Sequence, residues 1–567
     1  MLPILRKLHS KRLLATVLII FSLFATCCKI YVGLDNDEVF ITYLATRLAE
    51  GRILFADSWD VYVTSSIIPA IFIRLFLAIT HSVDGVIIYL RVLSAFAQCF
   101  TAYAAYRIFR KHYSAESAFF AAIVILGILP RSTQNFEYGF ISITFFILSS
   151  LMLFDVFYDG NRRTTHIFIA GVFYGLGVFT YPTMLISLPF LTFLLLIKIH
   201  PDMKVRIKFS ICFWSGCVLL FILFMSYILL HMSINDFLIN LSGLLECDDH
   251  SVFFSVFRNT EYLFKLIIRS GLLLFCTFFL YLLLRIRLKL SPIGMIYIYM
   301  MMISIIIIGA NITSLRASGP FGLLERYIIY AVMAVIMVIS SRKHRPLFFC
   351  FTLMGIFTYL GALAGSNLGY GENAMYLEPA LISLVISAVE YKNTIERQNI
   401  SILASICIIM MLAEIIFSKA YFVRIDGTSP ANINEPRIVS EEGPSMGIML
   451  YPEHIDKWNG KRAYLNKNTF AGSTYVNIGS DTMLNYFYKG EMVAPQYAGT
   501  LSTGKQWVDY YTIGKRKLPD YIYVDKMYHP DIESFLNTAF GQYINDKYIE
   551  ETNTDTGLFH VLKRSAN

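Results

Sequence analysis

The first long apolar stretch of the chain is followed directly by an acidic segment, Gly33-Leu34-Asp35-Asn36-Asp37-Glu38-Val39-Phe40-Ile41-Thr42-Tyr43. Three carboxylates stand within four positions of one another, where an apolar helix would leave a bilayer. Ionised side chains near hydrocarbon are costly, so a protein that keeps them there generally uses them. The segment predicts an acidic site at one membrane surface, with Asp37 as its catalytic group.

The residues after these acids predict an amphipathic helix that lies along the membrane surface and ends at Gly51. Its apolar face consists of Phe40, Ile41, Leu44, Ala45 and Leu48. The spacing of Asp35 and Glu38 is also that of a capping box, and acids are favoured in the first turn of a helix. Capping is therefore an alternative role for Asp35 and Glu38, but it leaves Asp37 without a structural role.

The composition places the whole chain among polytopic membrane proteins. Of its 567 residues, 56% are hydrophobic and only 16% are charged, which is too apolar a mixture for a soluble core and its surface. The net charge of +8 lies in short Lys and Arg clusters between apolar segments. Such clusters are typical of cytoplasmic loops, so we expect membrane lipids as partners and no nucleic acid.

The apolar stretches predict thirteen transmembrane helices when all basic clusters face the cytoplasm. Residues 61–80 are then a second surface or re-entrant helix of the first outer loop, 33–85, and residues 167–198 divide at Tyr181-Pro182 into two short spans. The N-terminus is cytoplasmic and the C-terminus lies outside. The spans fall near 13–32, 86–108, 115–130, 139–157, 166–180, 183–198, 209–230, 263–284, 291–310, 323–341, 346–364, 375–390 and 399–418.

The composition becomes polar and rich in turns from about Lys419. The fold class predicted is therefore a polytopic all-α membrane domain, residues 1–418, followed by a small extracytoplasmic α/β domain, residues 419–567. Within the second domain we expect buried strands at 474–478 and 521–524 and a helix over 532–540.

The predicted outer face collects acids, arginines and a glycine-rich loop. Its candidate residues are Asp35, Asp37, Glu38, Asp57, Asp60, Arg131, Glu137, Arg316, Glu325, Arg326, Asn367 and Glu372. A carboxylate can take a proton from an attacking hydroxyl, and cations or backbone N–H groups can neutralise a departing phosphate. This division suits the transfer of a sugar from a lipid phosphate at the headgroup level.

The first outer loop resembles that of the GT-C glycosyltransferases, and most closely the group of protein O-mannosyltransferases and the lipid A aminoarabinose transferase. The likeness lies in the Asp37-Glu38 pair, the amphipathic helix, and the run Ile53-Leu54-Phe55-Ala56-Asp57-Ser58-Trp59-Asp60 before a second short helix. Thirteen spans with an outer C-terminal domain are similar to members of that superfamily.

The resemblance implies an inverting transfer of a sugar from a polyprenyl-phosphate carrier to an acceptor hydroxyl on an envelope glycan, lipid or protein. Asp37 matches the family's catalytic acid, Glu137 a second acidic position and Arg131 its basic neighbour. This chain departs from the pattern in having Glu rather than Asp at 137, and Val61-Tyr62-Val63-Thr64 where many relatives have a Lys-Pro-Pro run. The implied location is the outer face of a bacterial inner membrane.

Each further candidate also has a structural interpretation. Asp57 and Asp60 have the positions of helix caps, and Glu137 that of a solvated loop acid. The arginines near positions 316 and 326 are typical interfacial anchors, and the loop of Asn367 and Glu372 is a typical turn. Arg91 lies inside a predicted span, so we expect an acidic partner in the protein interior.

Other functional classes and the cofactor requirement stay open at this point. A transporter or flippase of lipid-linked sugars, an O-antigen ligase or polymerase, and a non-catalytic scaffold are the alternatives. A transporter is expected to contain inverted repeats, and none is visible in the sequence. No metal-ligand spacing occurs, so no cofactor is predicted, although a divalent ion is not excluded.

Overall fold

A computed structural model describes most of the chain and is helical over the membrane region. The described residues are 2–128, 134–159, 163–197, 202–245, 260–288, 293–312, 326–339, 342–365, 372–421, 423–425, 429–431, 437–479, 481–497, 503–551 and 557–565. The helices that precede the sheet are α1 Leu2–Tyr31, α2 Asn36–Ala49, α3 Ile67–Thr80, α4 Val86–His112, α5 Ala115–Gly127, α6 Tyr138–Asp159, α7 Thr164–Thr180, α8 Leu188–Ile197, α9 Met203–His231, α10 Ile234–Leu245, α11 Thr260–Leu288, α12 Gly294–Ile312, α13 Arg326–Ile339, α14 Arg345–Leu347, α15 Leu353–Gly365, α16 Glu378–Asn393 and α17 Gln398–Tyr421. Short 3₁₀ or π segments accompany them at Val63–Ser66, Pro182–Ser187, Arg342–His344, Phe348–Thr352 and Glu372–Leu377.

The chain is a multi-pass membrane protein. A helix lies in each of the thirteen stretches that the sequence predicts as spans. Among the described residues, eight helical segments are long and apolar enough to cross a membrane, and shorter apolar helices accompany them. One of the eight is Val63–Thr80, which the sequence assigns to the first outer loop, so the number of crossings and their direction stay predictions.

The two predicted surface helices of the first loop are α2 and α3, and they pack against each other. Asp35 begins α2, because its side chain accepts a hydrogen bond from the backbone N–H of Asp37 at 3.1 Å. The chain leaves α2 through Gly51, whose φ of +99° is in the left-handed region that glycine adopts readily. The N-cap and the turn thus confirm the predicted ends of this helix, whereas its position along the membrane surface stays a prediction.

The C-terminal region contains a mixed five-stranded sheet in the order β6-β5-β7-β9-β8. β5 is parallel to β6 and β7, whereas β9 is antiparallel to β7 and β8. The strands of the chain are β1 Val423–Ile425, β2 Ser429–Ala431, β3 Ile438–Val439, β4 Met449–Leu450, β5 Thr474–Ile478, β6 Glu491–Met492, β7 Tyr521–Asp525, β8 Tyr548–Glu550 and β9 Phe559–Arg564. The helices beside this sheet are α18 Pro452–Asn468, α19 Lys505–Thr512, α20 Ile532–Leu536 and α21 Ala539–Ile544.

Both predicted strands are present in this sheet as β5 and β7. The predicted helix over 532–540 is instead two helices, because two side chains begin separate helices. Asp531 accepts from the backbone N–H of Ser534, and Thr538 accepts from that of Gly541.

Trp59 joins the first loop to α10 and to the C-terminal region. Its indole N–H donates to Asn240 at 2.9 Å, and its backbone N–H donates to the carbonyl of Pro495 at 2.7 Å. Its ring meets Tyr510 edge-on at 5.3 Å between centroids. The C-terminal region is therefore packed onto the loop that carries Asp37.

Candidate active site

Asp37 lies in the first turn of α2, half-buried, beside the beginning of α6. The Tyr138 hydroxyl donates a hydrogen bond to Oδ2 of Asp37 at 2.8 Å. The Tyr138 ring is stacked on Tyr62 with 4.1 Å between centroids and 5° between planes. Tyr181 lies against both rings, at 5.6 Å from each.

Glu137 directly precedes Tyr138 and is buried. Its side chain is only 2% exposed, so its interpretation as a solvated loop acid is wrong. A Cβ at Gly139 would stand 2.8 Å from Oε1 of Glu137 and 3.3 Å from the Tyr376 hydroxyl, which places these two groups near one another. Tyr376 contacts Tyr181 at 5.5 Å between centroids. Asp37 and Glu137 therefore both border one tyrosine cluster, which consists of Tyr62, Tyr138, Tyr181 and Tyr376.

Glu38 points away from this cluster and is paired with Arg91. Both are buried, and the guanidinium donates to the two carboxylate oxygens at 2.6 Å each. Burial raises the pKa of Glu38 above its ordinary value, and the neighbouring Arg91 charge offsets only part of this rise. Arg91 thus has the acidic partner that its position predicts. Because this pair occupies the Glu38 carboxylate, we assign Glu38 no role in ligand binding.

Breaking this buried pair is expected to destabilise the protein strongly. Glu38→Ala leaves the Arg91 charge buried without its carboxylate, which typically costs roughly 3–5 kcal/mol. The matched control is Glu50→Ala, because Glu50 is 46% exposed and stands 3.7 Å from its partner Arg47. We expect a large fall in the thermal unfolding midpoint in detergent for the first variant and almost none for the second. Equal midpoints would contradict the structural role of Glu38.

The contacts of three further candidate residues are with other parts of the protein and not with Asp37. Asp57 accepts from the backbone N–H of Ile53 at 2.6 Å, which closes a turn of the first loop. Asp60 is buried and accepts from the Ser58 hydroxyl and the backbone N–H of Tyr497 at 2.6 and 3.1 Å. Neither caps the second short helix, whose N-cap makes no side-chain hydrogen bond.

Arg326 is the third of these candidates. It is buried at the beginning of α13, where its Nε is 3.1 Å from Oε1 of Glu414, and its guanidinium lies over the Tyr327 ring. Arg326 is therefore part of an internal ion pair, so the predicted roles of interfacial anchor and phosphate ligand are both wrong. Arg131, Arg316, Glu325, Asn367 and the side chain of Glu372 lie outside the part of the chain that the structure describes.

A large apolar groove lies next to the tyrosine cluster, and the sequence did not predict it. Its volume is about 450 Å³, and residues of the first loop, α3, α7 and α9 line it. Ile71 and Leu223 are exposed on its walls, as expected of surfaces that contact hydrocarbon. Two arginines and a histidine add positive or titratable groups to this lining: Arg52, Arg74 and His231.

Two residues of the groove lining are close in sequence to tyrosines of the cluster. Thr64 lines the groove, whereas Tyr62, two residues earlier, is stacked on Tyr138. Thr180 also lines the groove, whereas the next residue, Tyr181, contacts the same rings. The Thr64 side chain is 8% exposed, and its hydroxyl makes no hydrogen bond to any described residue.

The sequence also leaves open whether the site binds a divalent metal ion. Within the described ranges, no three His, Cys, Asp or Glu side chains are grouped closely enough to hold a metal ion.

The helices, the first outer loop and the small C-terminal sheet together give a multi-pass membrane protein whose fold is similar to that of a solved archaeal oligosaccharyltransferase. The oligosaccharyltransferase of Archaeoglobus fulgidus, solved with zinc and sulfate, aligns with a TM-score of 0.50 and 13% identity, over 96% of this chain and 72% of its own. No protein-family model matches the chain, and no curated protein does.

Two further solved structures align over almost all of this chain. The archaeal oligosaccharyltransferase AglB from Archaeoglobus fulgidus, in complex with an inhibitory peptide and a dolichol-phosphate, has a TM-score of 0.49 and 13% identity, over 98% of this chain and 75% of its own. ArnT from Cupriavidus metallidurans bound to undecaprenyl phosphate has a TM-score of 0.41 and 9% identity, over 99% and 98%.

Proposed function

We propose that this protein is an inverting glycosyltransferase that moves a sugar from a polyprenyl-phosphate carrier to an acceptor hydroxyl. The acceptor belongs to an envelope glycan, a lipid or a protein at the outer face of a bacterial inner membrane. Residues 1–418 form the transmembrane domain of this enzyme, and residues 419–567 form its extracytoplasmic domain. The N-terminus is cytoplasmic, and Asp37 lies on the outer side.

The observation that supports this proposal is that an apolar groove is lined by residues next in sequence to the tyrosines that surround a half-buried carboxylate. Hydrocarbon of a lipid substrate fits the groove wall, which exposes Ile71 and Leu223. Its polar head would lie at the end formed by Thr64 and Thr180, against the tyrosine cluster. Asp37 is hydrogen-bonded to that cluster through Tyr138. A lipid-borne reactive group would thus be delivered to a carboxylate.

The chemistry follows from these positions. Asp37 takes the proton of the acceptor hydroxyl, and the hydroxyl oxygen forms a bond to the anomeric carbon from the face opposite the carrier phosphate. The bond between that carbon and the phosphate oxygen breaks, and its electron pair leaves with the phosphate. A single displacement of this kind inverts the configuration of the sugar.

Cations near the groove are suited to the charge on the carrier phosphate. Arg74 is exposed in the groove lining and has no ion pair within the described part of the chain, whereas Arg52 is 2.5 Å from Glu491. An arginine can bind two phosphate oxygens at once, and it stays charged as the leaving group develops. Arg131 and Arg316 stay in the proposal as further phosphate ligands, since the sequence places them on the same face.

The test uses purified full-length protein in lipid nanodiscs. A polyprenyl-phosphate-linked sugar is added with an envelope extract as acceptor, and free polyprenyl phosphate and sugar-bearing products are measured by mass spectrometry. A transferase releases the carrier and adds single sugars to the acceptor. Intact donor throughout would favour a flippase or a scaffold, and transfer of preassembled sugar chains would favour a ligase or polymerase.

A further inference from the structure

We propose that Tyr138 is a positioning residue that sets the orientation of the Asp37 carboxylate for proton transfer. This inference rests on the proposed function, since it assigns Tyr138 a role in the same reaction. The contact that points to it is the hydrogen bond from the Tyr138 hydroxyl to Oδ2 of Asp37 at 2.8 Å.

The Tyr138 ring is held in place from two sides. Tyr62 lies parallel to it at 4.1 Å and Tyr181 lies against it at 5.6 Å, and all three side chains are less than a tenth exposed. The hydroxyls of Tyr62 and Tyr181 in turn donate hydrogen bonds to the backbone of α15. Tyr62 donates to the carbonyl of Gly365 and Tyr181 to the carbonyl of Ala362, each at 3.4 Å. The position of the Tyr138 hydroxyl is therefore fixed by the packing of three separate segments.

A fixed donor changes what a half-buried carboxylate can do. The terminal torsion of an aspartate is soft and roughly two-fold, so a carboxylate at the surface of a helix end samples several orientations. A hydrogen bond to one oxygen from an immobile hydroxyl selects one of these orientations and directs the second oxygen consistently. Proton transfer depends steeply on this geometry, because a misplacement of about 1 Å can cost about a hundredfold in rate.

The same ring also connects Asp37 to the groove. Tyr62 is stacked on Tyr138, and Thr64, on the same 3₁₀ turn, lines the groove. The stacked rings of Tyr62 and Tyr138 thus link the carboxylate that accepts the proton to the turn that lines the lipid site. Tyr138 directly follows Glu137 in the sequence. Because it is a single aromatic residue at the beginning of an apolar helix, no sequence pattern indicates this role.

The first test compares Tyr138→Phe with Tyr297→Phe. Tyr297 is the matched control because it is equally buried, and its hydroxyl donates to the carbonyl of Ala388 at 2.6 Å, away from Asp37. We expect Tyr138→Phe to lower kcat about 10- to 100-fold, with the KM values for donor and acceptor within about threefold of the parent. The control should lose thermal stability to a similar degree and keep its kcat.

The second test is a double-mutant cycle with Asp37→Glu, whose longer side chain moves the carboxylate away from the Tyr138 hydroxyl. If Tyr138 acts through Asp37, Tyr138→Phe should change kcat by less than about twofold in that background. When turnover of Asp37→Glu is too slow to follow, the cycle is measured on thermal unfolding midpoints, where coupling of the pair is again expected.

Three results would separate this inference from the proposed function. Full activity of Tyr138→Phe together with an inactive Asp37→Asn overturns the positioning role alone. An equal effect of Tyr138→Phe in both backgrounds of the cycle also overturns it. Full activity of Asp37→Asn overturns the proposed function, whatever Tyr138→Phe does.

Discussion

Asp37→Asn is expected to lower the kcat for sugar transfer by about 10²–10⁴-fold, the usual contribution of a general base. The substitution keeps the size of the side chain and its ability to accept the Tyr138 hydrogen bond, but it removes the basic oxygen. We therefore expect normal insertion and thermal stability. The measurement is product formation by membranes that contain equal amounts of parent and variant protein.

The matched control for this variant is Asp35→Asn, two residues away. Asp35 begins α2, and asparagine is an equally good N-cap, so this control should fold and retain its activity. Loss of activity in both variants would indicate that the acidic segment matters for structure alone. Normal product from Asp37→Asn would end the assignment of Asp37 as the base.

Filling the groove is expected to weaken donor binding. Leu223 lines the groove and is 58% exposed, so Leu223→Trp adds bulk at its wall without overpacking the core. Displacing the contacts of two or three methylene groups costs about 2 kcal/mol, which corresponds to an increase of about thirtyfold in the donor KM. The change in kcat at saturating donor should be small, because Asp37 and Tyr138 are untouched.

Ile222→Trp controls for the effect of an added indole on the same helix. Ile222 is 55% exposed and does not belong to the groove lining, so its donor KM should stay at the parent value. Both variants are compared by donor titration in nanodiscs with equal protein content. If the two tryptophans have the same effect, the groove is not the binding site of the lipid chain.

The fold was largely predictable from local sequence patterns. Long apolar stretches between basic clusters predict helices, and a helix lies in each predicted stretch. The spacing of Asp35 and Glu38 predicts the cap that begins α2, and the charge of Arg91 inside an apolar helix predicts its acidic partner. Each of these features depends on residues near one another in sequence, or on the high cost of an unpaired buried charge.

The parts of the site that the sequence does not predict depend on contacts between distant segments of the chain. The groove combines side chains from the first loop, α3, α7 and α9, and none of these segments carries a motif that distinguishes lining residues from ordinary lipid-facing ones. Tyr138 reaches Asp37 across about a hundred positions of sequence. Such pairings follow from helix packing, which hydropathy and periodicity do not specify.

Two charged residues that the sequence predicts as ligand contacts, Asp60 and Arg326, make contacts within the protein instead. Asp60 is buried because Trp59 and Tyr497 bring the C-terminal region down onto the loop, and its carboxylate then satisfies a buried backbone N–H. Arg326 similarly satisfies Glu414 inside the helices. Sequence shows that a charged residue lies near a predicted membrane surface, but the packing above that surface decides whether solvent or protein surrounds it.

The most direct test of the central claim measures binding and turnover of the lipid donor in the same sample. Asp37→Asn protein in nanodiscs is mixed with a polyprenyl-phosphate-linked sugar and acceptor, and bound donor and released carrier are quantified together. The groove and Asp37 have separate tasks in this account, so donor binding should stay within about twofold of the parent while carrier release falls at least a hundredfold. Carrier release at the parent rate would contradict the claim.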